Sequence, residues 1–465
     1  MIQVLLIAAF VTVSPPEWVP PSFSNETGAQ TLPEPWWTDG RFPELSALLQ
    51  GAISSNESLG ELRAKLAATE ATTLQARGPL FPQISADSNL SVAPTNSFGF
   101  QFGGALDRAL EGATLPEVYY SGAATLRGAY ILDYAGKNLL QYKASKHTAE
   151  ASALELEGHG LELFANITEA YLDLLLAKEE LSIHTHILQS HRSFLESMSL
   201  RFERGEVSAV ELMRQKSQVA SAAAAPPGAE ARILSAQRQL GLWLGQLTPI
   251  TLSPQLATLP SANPRPKLGT PADLVHHLPR LRSAALQHQA AAKQARSRGR
   301  QHFPTVQLSG QWGKQYRFME DWNTQDFWSA GATLSIPLFS GFADQAAVSQ
   351  SEAQATASGL RYERLYRQAI TVVENRLSSL RALTAQLQHL QTALKHSQSA
   401  YEQSLERFQS GVGDYLSTLT TLQQYQQTRL RVLSVQRQQL SAEIQLRASI
   451  GGHWSQRLTQ APRGS

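Results

Sequence analysis

The chain has 465 residues, a formal net charge of +2 and only 17% charged residues, so bulk electrostatics give no basis for a nucleic-acid partner. It contains no cysteine, which excludes disulfides, thiolate metal sites, a cysteine nucleophile and acylation of an N-terminal cysteine. No apolar run is long enough for a membrane-spanning helix.

Residues 1–13, with an apolar run from Val4 to Val13, have the length of a signal-peptide core and are expected to be an export signal. Residues 14–42, rich in Pro, Ser and Thr, are expected to be extended. A helix is expected from about Pro43 to Arg77, entering a strand (about 82–93) through Phe81-Pro82. The tract Gly99 to Gly104 reads as a loop before a second strand, about 118–132. A proline-free stretch from Gly136 to Phe202 then predicts a helix ~100 Å long, stopped at Gly205. The chain returns over Glu211 to Leu244, where Pro226-Pro227 must break the helix.

After a proline-rich linker, 253–270, the order repeats. A helix spans about Pro271 to Arg300, and Phe303-Pro304 leads into strands at about 304–318 and 327–338. A long helix follows from Phe342 to Phe408, with a tip at Gly411-Val412-Gly413, a return from Tyr415 to Ile450 and a tail, 453–465. Ile131 to Gly136 matches Ile336 to Gly341, and Arg201-Phe202-Glu203-Arg204-Gly205 matches Arg407-Phe408-Gln409-Ser410-Gly411. A heptad ladder (Ile167, Leu174, Leu181, Leu188, Leu195, Phe202) recurs as Val373, Leu380, Leu387, Leu394, Tyr401 and Phe408, which predicts left-handed coiled coils. Residues 43–252 and 271–452 thus read as two repeats of one structural body.

All four strands alternate apolar with polar residues, giving each one apolar and one polar face. Their ~9–12 residues suit a tilted bilayer crossing. Aromatics gather at both ends: Phe81, Phe303, Tyr134 and Phe339 at one, and Phe98, Phe100, Phe102, Tyr316, Phe318, Trp322 and Phe327 at the other. Four strands cannot close a barrel, and an open edge in lipid leaves backbone groups unpaired. Closure therefore needs several copies; three are the simplest solution, while two or four also close on paper.

With these features in hand, the chain resembles a TolC-type outer-membrane factor, nearest to the channels of resistance-nodulation-division efflux systems. The motifs carrying the resemblance are Pro35-Trp36-Trp37, Phe81-Pro82, Ile336-Pro337-Leu338-Phe339-Ser340-Gly341 and Arg407-Phe408-Gln409-Ser410-Gly411. The break at Pro226 and the closing Leu242-Trp243-Leu244-Gly245 and Ser449-Ile450-Gly451-Gly452 agree, so the match covers about 35–452. The fold class it implies is a mixed membrane β-barrel and long α-helical coiled-coil barrel, with four strands per chain in a homotrimeric twelve-stranded barrel. The protein would sit in the outer membrane of a Gram-negative bacterium with a large periplasmic portion. Its partners would be a periplasmic adaptor, an inner-membrane pump and outer-membrane lipid. It would be a passive duct, with no enzyme activity and no cofactor. Two departures stand out. Many relatives are acylated on an N-terminal cysteine, and none is present here, so no lipidation is expected. Where the family often carries an aspartate past the second tip glycine, this chain has Thr420, which favours an apolar constriction at Leu416 over an acidic ring.

The residues expected to gate the periplasmic entrance are Asp414, Tyr415, Leu416 and Thr420, with Val207 and Glu211 on the paired hairpin. Asp414 serves equally well as a plain helix cap. Adaptor docking is expected on Arg204, Gly205, Arg407, Gly411 and Gly413, although these glycines are also what the turns require. His184, His186 and His191, and the pair His276 and His277, lack the spacing and companions of a metal site. No catalytic constellation is present. Two alternatives stand beside an efflux duct: the exit channel of a type I protein secretion system, and a soluble coiled-coil scaffold. The scaffold leaves the girdled, bilayer-length strands unexplained.

Overall fold

The computed structural model describes residues 15–16, 18–23, 36–38, 40–42, 44–94, 118–250, 258–262, 270–318 and 322–451. The expected export signal, Phe98, Phe100, Phe102, the Gly99–Gly104 tract, most of the 253–270 linker and the tail lie outside the described residues.

The helices are α1 (Leu45–Ser55), α2 (Glu57–Arg77), α3 (Lys137–Glu203), α4 (Ala209–Ala223), α5 (Ala225–Trp243), α6 (Leu274–His277), α7 (Pro279–Gly299), α8 (Ala343–Gln409) and α9 (Tyr415–Ile450). The strands are β1 (Gln83–Pro94), β2 (Val118–Leu132), β3 (Thr305–Phe318) and β4 (Trp322–Ser335). They belong to two compact units, one holding residues 67–150 and 286–360, the other 1–66, 151–285 and 361–465.

In the first unit the strands form one antiparallel sheet in the order β1-β2-β3-β4, with β1 and β4 as open edges. The register turns the sequence alternation into two chemically distinct faces. Ala86, Leu126, Trp312 and Trp328 lie in one row across the sheet, and the parallel rows hold Ile84, Leu90, Tyr130, Leu308 and Leu334. The opposite parity carries rows such as Ser85, Arg127, Gln311 and Ser329. Ile84 and Leu90 are each 74% exposed and Trp328 is 78% exposed, so the apolar face has no protein layer over it. A soluble sandwich would bury that face against a second sheet.

Strand β4 begins earlier and ends earlier than the expected 327–338. Asn323 to Asp326 are polar on both faces, which hides their alternation, yet they pair with β3. At the far end the strand stops at Ser335, ahead of Pro337, which lacks a ladder donor.

The turn from β2 into α3 is held by the lead-in to β3. Asp133 caps α3, accepting from the amides of Asn138 (3.0 Å) and Leu139 (2.8 Å). The Tyr134 hydroxyl donates to the Pro304 carbonyl, the Arg300 guanidinium to the Ala135 carbonyl (2.5 Å), and the Ser297 hydroxyl to the Lys137 carbonyl (2.9 Å). Gly136, the residue before the helix, has φ +69°. In the second repeat that position is Phe342, with φ 66°, a left-handed conformation that costs a non-glycine residue about 1–2 kcal/mol. The matched glycine, Gly341, therefore sits one residue earlier in the structure than the sequence alignment with Gly136 implies.

In the second unit, the N-terminal segment is pinned to the helices. Trp36 is buried, donates from Nε1 to the Thr168 hydroxyl (3.1 Å) and packs edge-on to Trp37. Phe23 is buried with Leu274, Leu281, Tyr366 and Leu446. Burial raises the Tyr171 phenol to about 12. The expected helix from Pro43 to Arg77 divides at Asn56, whose side chain caps α2 through the Leu59 amide and donates to the Trp243 carbonyl. Likewise the helix from Pro271 divides at Leu278, ahead of Pro279. Arg41 reaches Glu443 with both guanidinium nitrogens (3.2 and 3.0 Å), and Arg447 reaches the same carboxylate at 2.8 Å.

The ends of α5 and α9 make the same contact twice. A side chain at Gly245 would strike the Ser55 carbonyl, and one at Gly451 would strike that of His277. Ser55 and His277 lie 222 positions apart and Gly245 and Gly451 lie 206 apart, so these two helix ends are built alike.

Candidate functional site

The two helical hairpins end in turns of identical construction, both inside the second unit. After α3, the Gly205 amide donates to the Phe202 carbonyl (2.9 Å) and the Glu206 amide to that of Arg201 (3.0 Å). After α8, Gly411 donates to Phe408 (3.1 Å) and Val412 to Arg407 (3.1 Å). These paired bonds satisfy the last helix carbonyls, and they require a left-handed residue, met by φ +73° at Gly205 and +80° at Gly411. Gly413 meets a different need, because a Cβ there would lie 2.6 Å from the Phe408 nitrogen.

Each returning helix carries its own cap. Ser208 and Glu211 form a reciprocal capping box (3.2 and 2.9 Å) at the start of α4. Asp414 caps α9 by accepting from the Ser417 amide at 2.9 Å. The Thr420 hydroxyl donates back to the Leu416 carbonyl. Asp414, Leu416 and Thr420 are exposed, and Leu416 and Thr420 share one helix face at i, i+4. Tyr415 and Val207 turn the other way, into a cluster of Met198, Leu212, Phe408, Leu419, Phe194 and Leu195. Arg204, Gly205, Arg407 and Gly411 are exposed.

What joins the two hairpins is Tyr415, one of the residues expected at the gate, together with Gln215, His191, Phe194 and Arg201, which were not among them. Gln215 of α4 is fully buried; its Nε2 donates to the His191 carbonyl (2.8 Å), and its Oε1 accepts from the Tyr415 hydroxyl (3.2 Å). Arg201 donates to the Phe408 carbonyl (3.0 Å), lies 4.7 Å above the Phe408 ring and pairs with Glu206. Phe194 stacks on Tyr415 with ring centroids 5.9 Å apart. Burial holds the His191 imidazole below its ordinary value, partly offset by a hydrogen bond with Gln426. Burial also raises the Tyr415 phenol.

The heptad ladder explains the omission. In this part of α3 the buried seam runs Ile183, His191 and Met198, with Ile187 and Phe194 beside it, whereas Leu188 and Leu195 are half-buried and Phe202 is exposed. His191 is thus a polar residue at a core position. His184 lies beside the Glu180–Arg232 pair, with burial lowering its pKa. Among the described residues no group of three or more His, Asp or Glu converges to hold a metal ion.

The profile of the family described as "Outer membrane efflux protein" matches residues 48–246 and 271–452. The chain belongs to the outer membrane efflux protein family. The pyoverdine export outer membrane protein OpmQ of Pseudomonas aeruginosa is 24% identical over 423 residues, covering 90% of this chain and 87% of the relative. The toluene efflux pump outer membrane protein TtgF of Pseudomonas putida is 22% identical over 421 residues, covering 90% and 85%. Among solved structures, the outer-membrane channel OprN superposes with a TM-score of 0.82 at 21% identity, over 95% of this chain and 99% of that one. The open state of the Neisseria gonorrhoeae MtrE channel gives 0.80 at 20% identity, over 95% and 97%. As an outer membrane efflux protein, the chain is the outer-membrane channel of a tripartite efflux system, and proteins of this family function with inner-membrane pumps and periplasmic adaptors. It is a passive conduit and not an enzyme.

Proposed function

We propose that three copies of this chain close their four-stranded sheets into one twelve-stranded barrel, and that the hairpin tips gate the entrance to the duct. The observation that carries this reading is the open sheet with an uncovered apolar face. In lipid that face is solvated, while the unpaired edges of β1 and β4 demand partners. Residues 43–252 and 271–452 act as the two repeats of each subunit, with 253–270 linking them.

At the entrance, exposed Leu416 and Thr420 form the constriction, and Asp414 and Glu211 cap the helices that carry it. Opening separates the α8–α9 hairpin from α3–α4, so the Gln215–Tyr415 and Arg201–Phe408 bonds hold the resting state. The exposed turns at Arg204, Gly205, Arg407, Gly411 and Gly413 receive the adaptor. Substrate selection rests with the pump, since a constriction of Leu and Thr offers no charged recognition element. The test is native mass measurement of protein extracted from outer membranes, with planar-bilayer conductance. A trimer that conducts, and conducts more with Leu416→Ala, supports the reading; a soluble monomer or dimer sinks it.

A further inference from the structure

The internal repeat supplies a template for the contact between neighbouring copies. Within one chain, the second strand of repeat one (β2) pairs with the first strand of repeat two (β3), Leu132 opposite Val306 and Tyr130 opposite Leu308. The corresponding second strand of repeat two is β4, and the corresponding first strand of repeat one is β1. These are the two open edges.

Two offsets carry the template across. First strands and their lead-ins differ by 222 positions, as Phe81-Pro82 and Phe303-Pro304 do. Second strands and the helices after them differ by 206, as the left-handed residues Gly136 and Phe342 do. The contacts of Gly245 on Ser55 and Gly451 on His277 obey the same two offsets. We infer that β4 of one copy pairs with β1 of the next in the single register that sets Leu334 opposite Ser88, Ala332 opposite Leu90 and Ala330 opposite Val92, with Phe342 of the first copy filling the space over Gly78 of the second.

Three independent features agree with this register. It joins apolar face to apolar face, as the pleat requires. It sets a large residue against a small one in each of those three rows. Sliding by two residues in one direction pairs Leu334 with Leu90, and in the other pairs Ala332 with Ser88, leaving a crowd or a gap. The turn shows the same exchange of volume. Within the chain, large Arg300 leans on Gly136, where a Cβ would lie 2.8 Å from its Nη1. At the open edges the partners are reversed: the position of Arg300 is Gly78, and that of Gly136 is Phe342, 73% exposed.

This inference rests on the proposal that copies close the barrel, and the chain's lack of cysteine makes a clean test. Ala332→Cys and Leu90→Cys are placed on separate co-expressed chains, and disulfide yield is read on non-reducing gels of extracted outer membranes. The two edges of one sheet lie ~14 Å apart, beyond disulfide reach, so any bond joins two copies. The inferred pair should crosslink about tenfold more than Ala332→Cys with Ser88→Cys or with Val92→Cys, whose Cα atoms would sit a row away. Gly78→Phe should lower the oligomer that survives an unheated gel, and adding Phe342→Gly should restore it. A parental trimer in which a shifted pair crosslinks best overturns the register and leaves the channel reading intact. A parent that forms no oligomer at all removes the channel reading first.

Discussion

Gln215→Met is the most informative single change at the hairpin tips. The side chain is 0% exposed and similar in volume to Met, so packing is nearly conserved while three hydrogen bonds vanish, the weakest a 3.4 Å contact with His191 Nδ1. The substitution strands the Tyr415 hydroxyl in a buried cluster, at about 1–3 kcal/mol, and removes the second bond of the His191 carbonyl, which keeps its helical partner within α3, at about 1 kcal/mol. A destabilisation of about 2–4 kcal/mol falls on the resting arrangement if opening separates α9 from α4. Every ~1.4 kcal/mol is tenfold in an equilibrium constant, so the open population should rise by at least about tenfold in each subunit. Planar-bilayer recording should show larger or longer openings, and amide exchange should accelerate at 204–216. Adding Tyr415→Phe should recover part of the loss, because removing both partners leaves one fewer orphan. Parental conductance together with parental exchange in Gln215→Met would refute the latch.

Further outcomes follow from other contacts. Burial holds His191 below its reference of 6.5, so the unfolded chain binds more protons below that pH and tip stability should fall as pH drops through it. Protection factors at the tip, with the intrinsic pH dependence of exchange divided out, should therefore fall between about pH 7.5 and about pH 5.5, and His191→Gln should flatten the response. Glu443→Gln leaves Arg41 and Arg447 around a neutral, buried group and should cost about 3 kcal/mol, read as a lower Tm. Trp36→Phe loses the bond to Thr168 and leaves a small void, about 2 kcal/mol together, in the same assay. Leu416→Ala, at a half-exposed site, should leave Tm unchanged and raise conductance.

Much of the fold was legible because its signals are local. Alternation marked the strands, Gly205 and Gly411 marked the turns, and Pro226 marked the break that the structure puts at Ala224. The break at Asn56 was missed, although an asparagine three residues before Leu59 is a readable cap. The tip was half legible: Asp414 and Glu211 announce themselves as caps, whereas Gln215 and His191 matter because they are polar in a seam. A seven-residue ladder drifts against a helix of 3.6 residues per turn, so a ladder anchored at Ile167 no longer marks the seam by Leu188. Locating that seam needs the partner helices, which sequence periodicity does not reveal.

The open edges of β1 and β4 have a genetic consequence. In the proposed three-copy ring each sheet is finished only by its neighbours, so no copy has a finished inserted form of its own and each subunit's quality is shared by the whole ring. If a defective edge spoils any ring that includes it, equal expression of sound and defective copies leaves about one ring in eight wholly sound. Lesions at the edge strands should therefore behave as dominant, while lesions confined to the outer turns of a hairpin can be diluted by healthy neighbours.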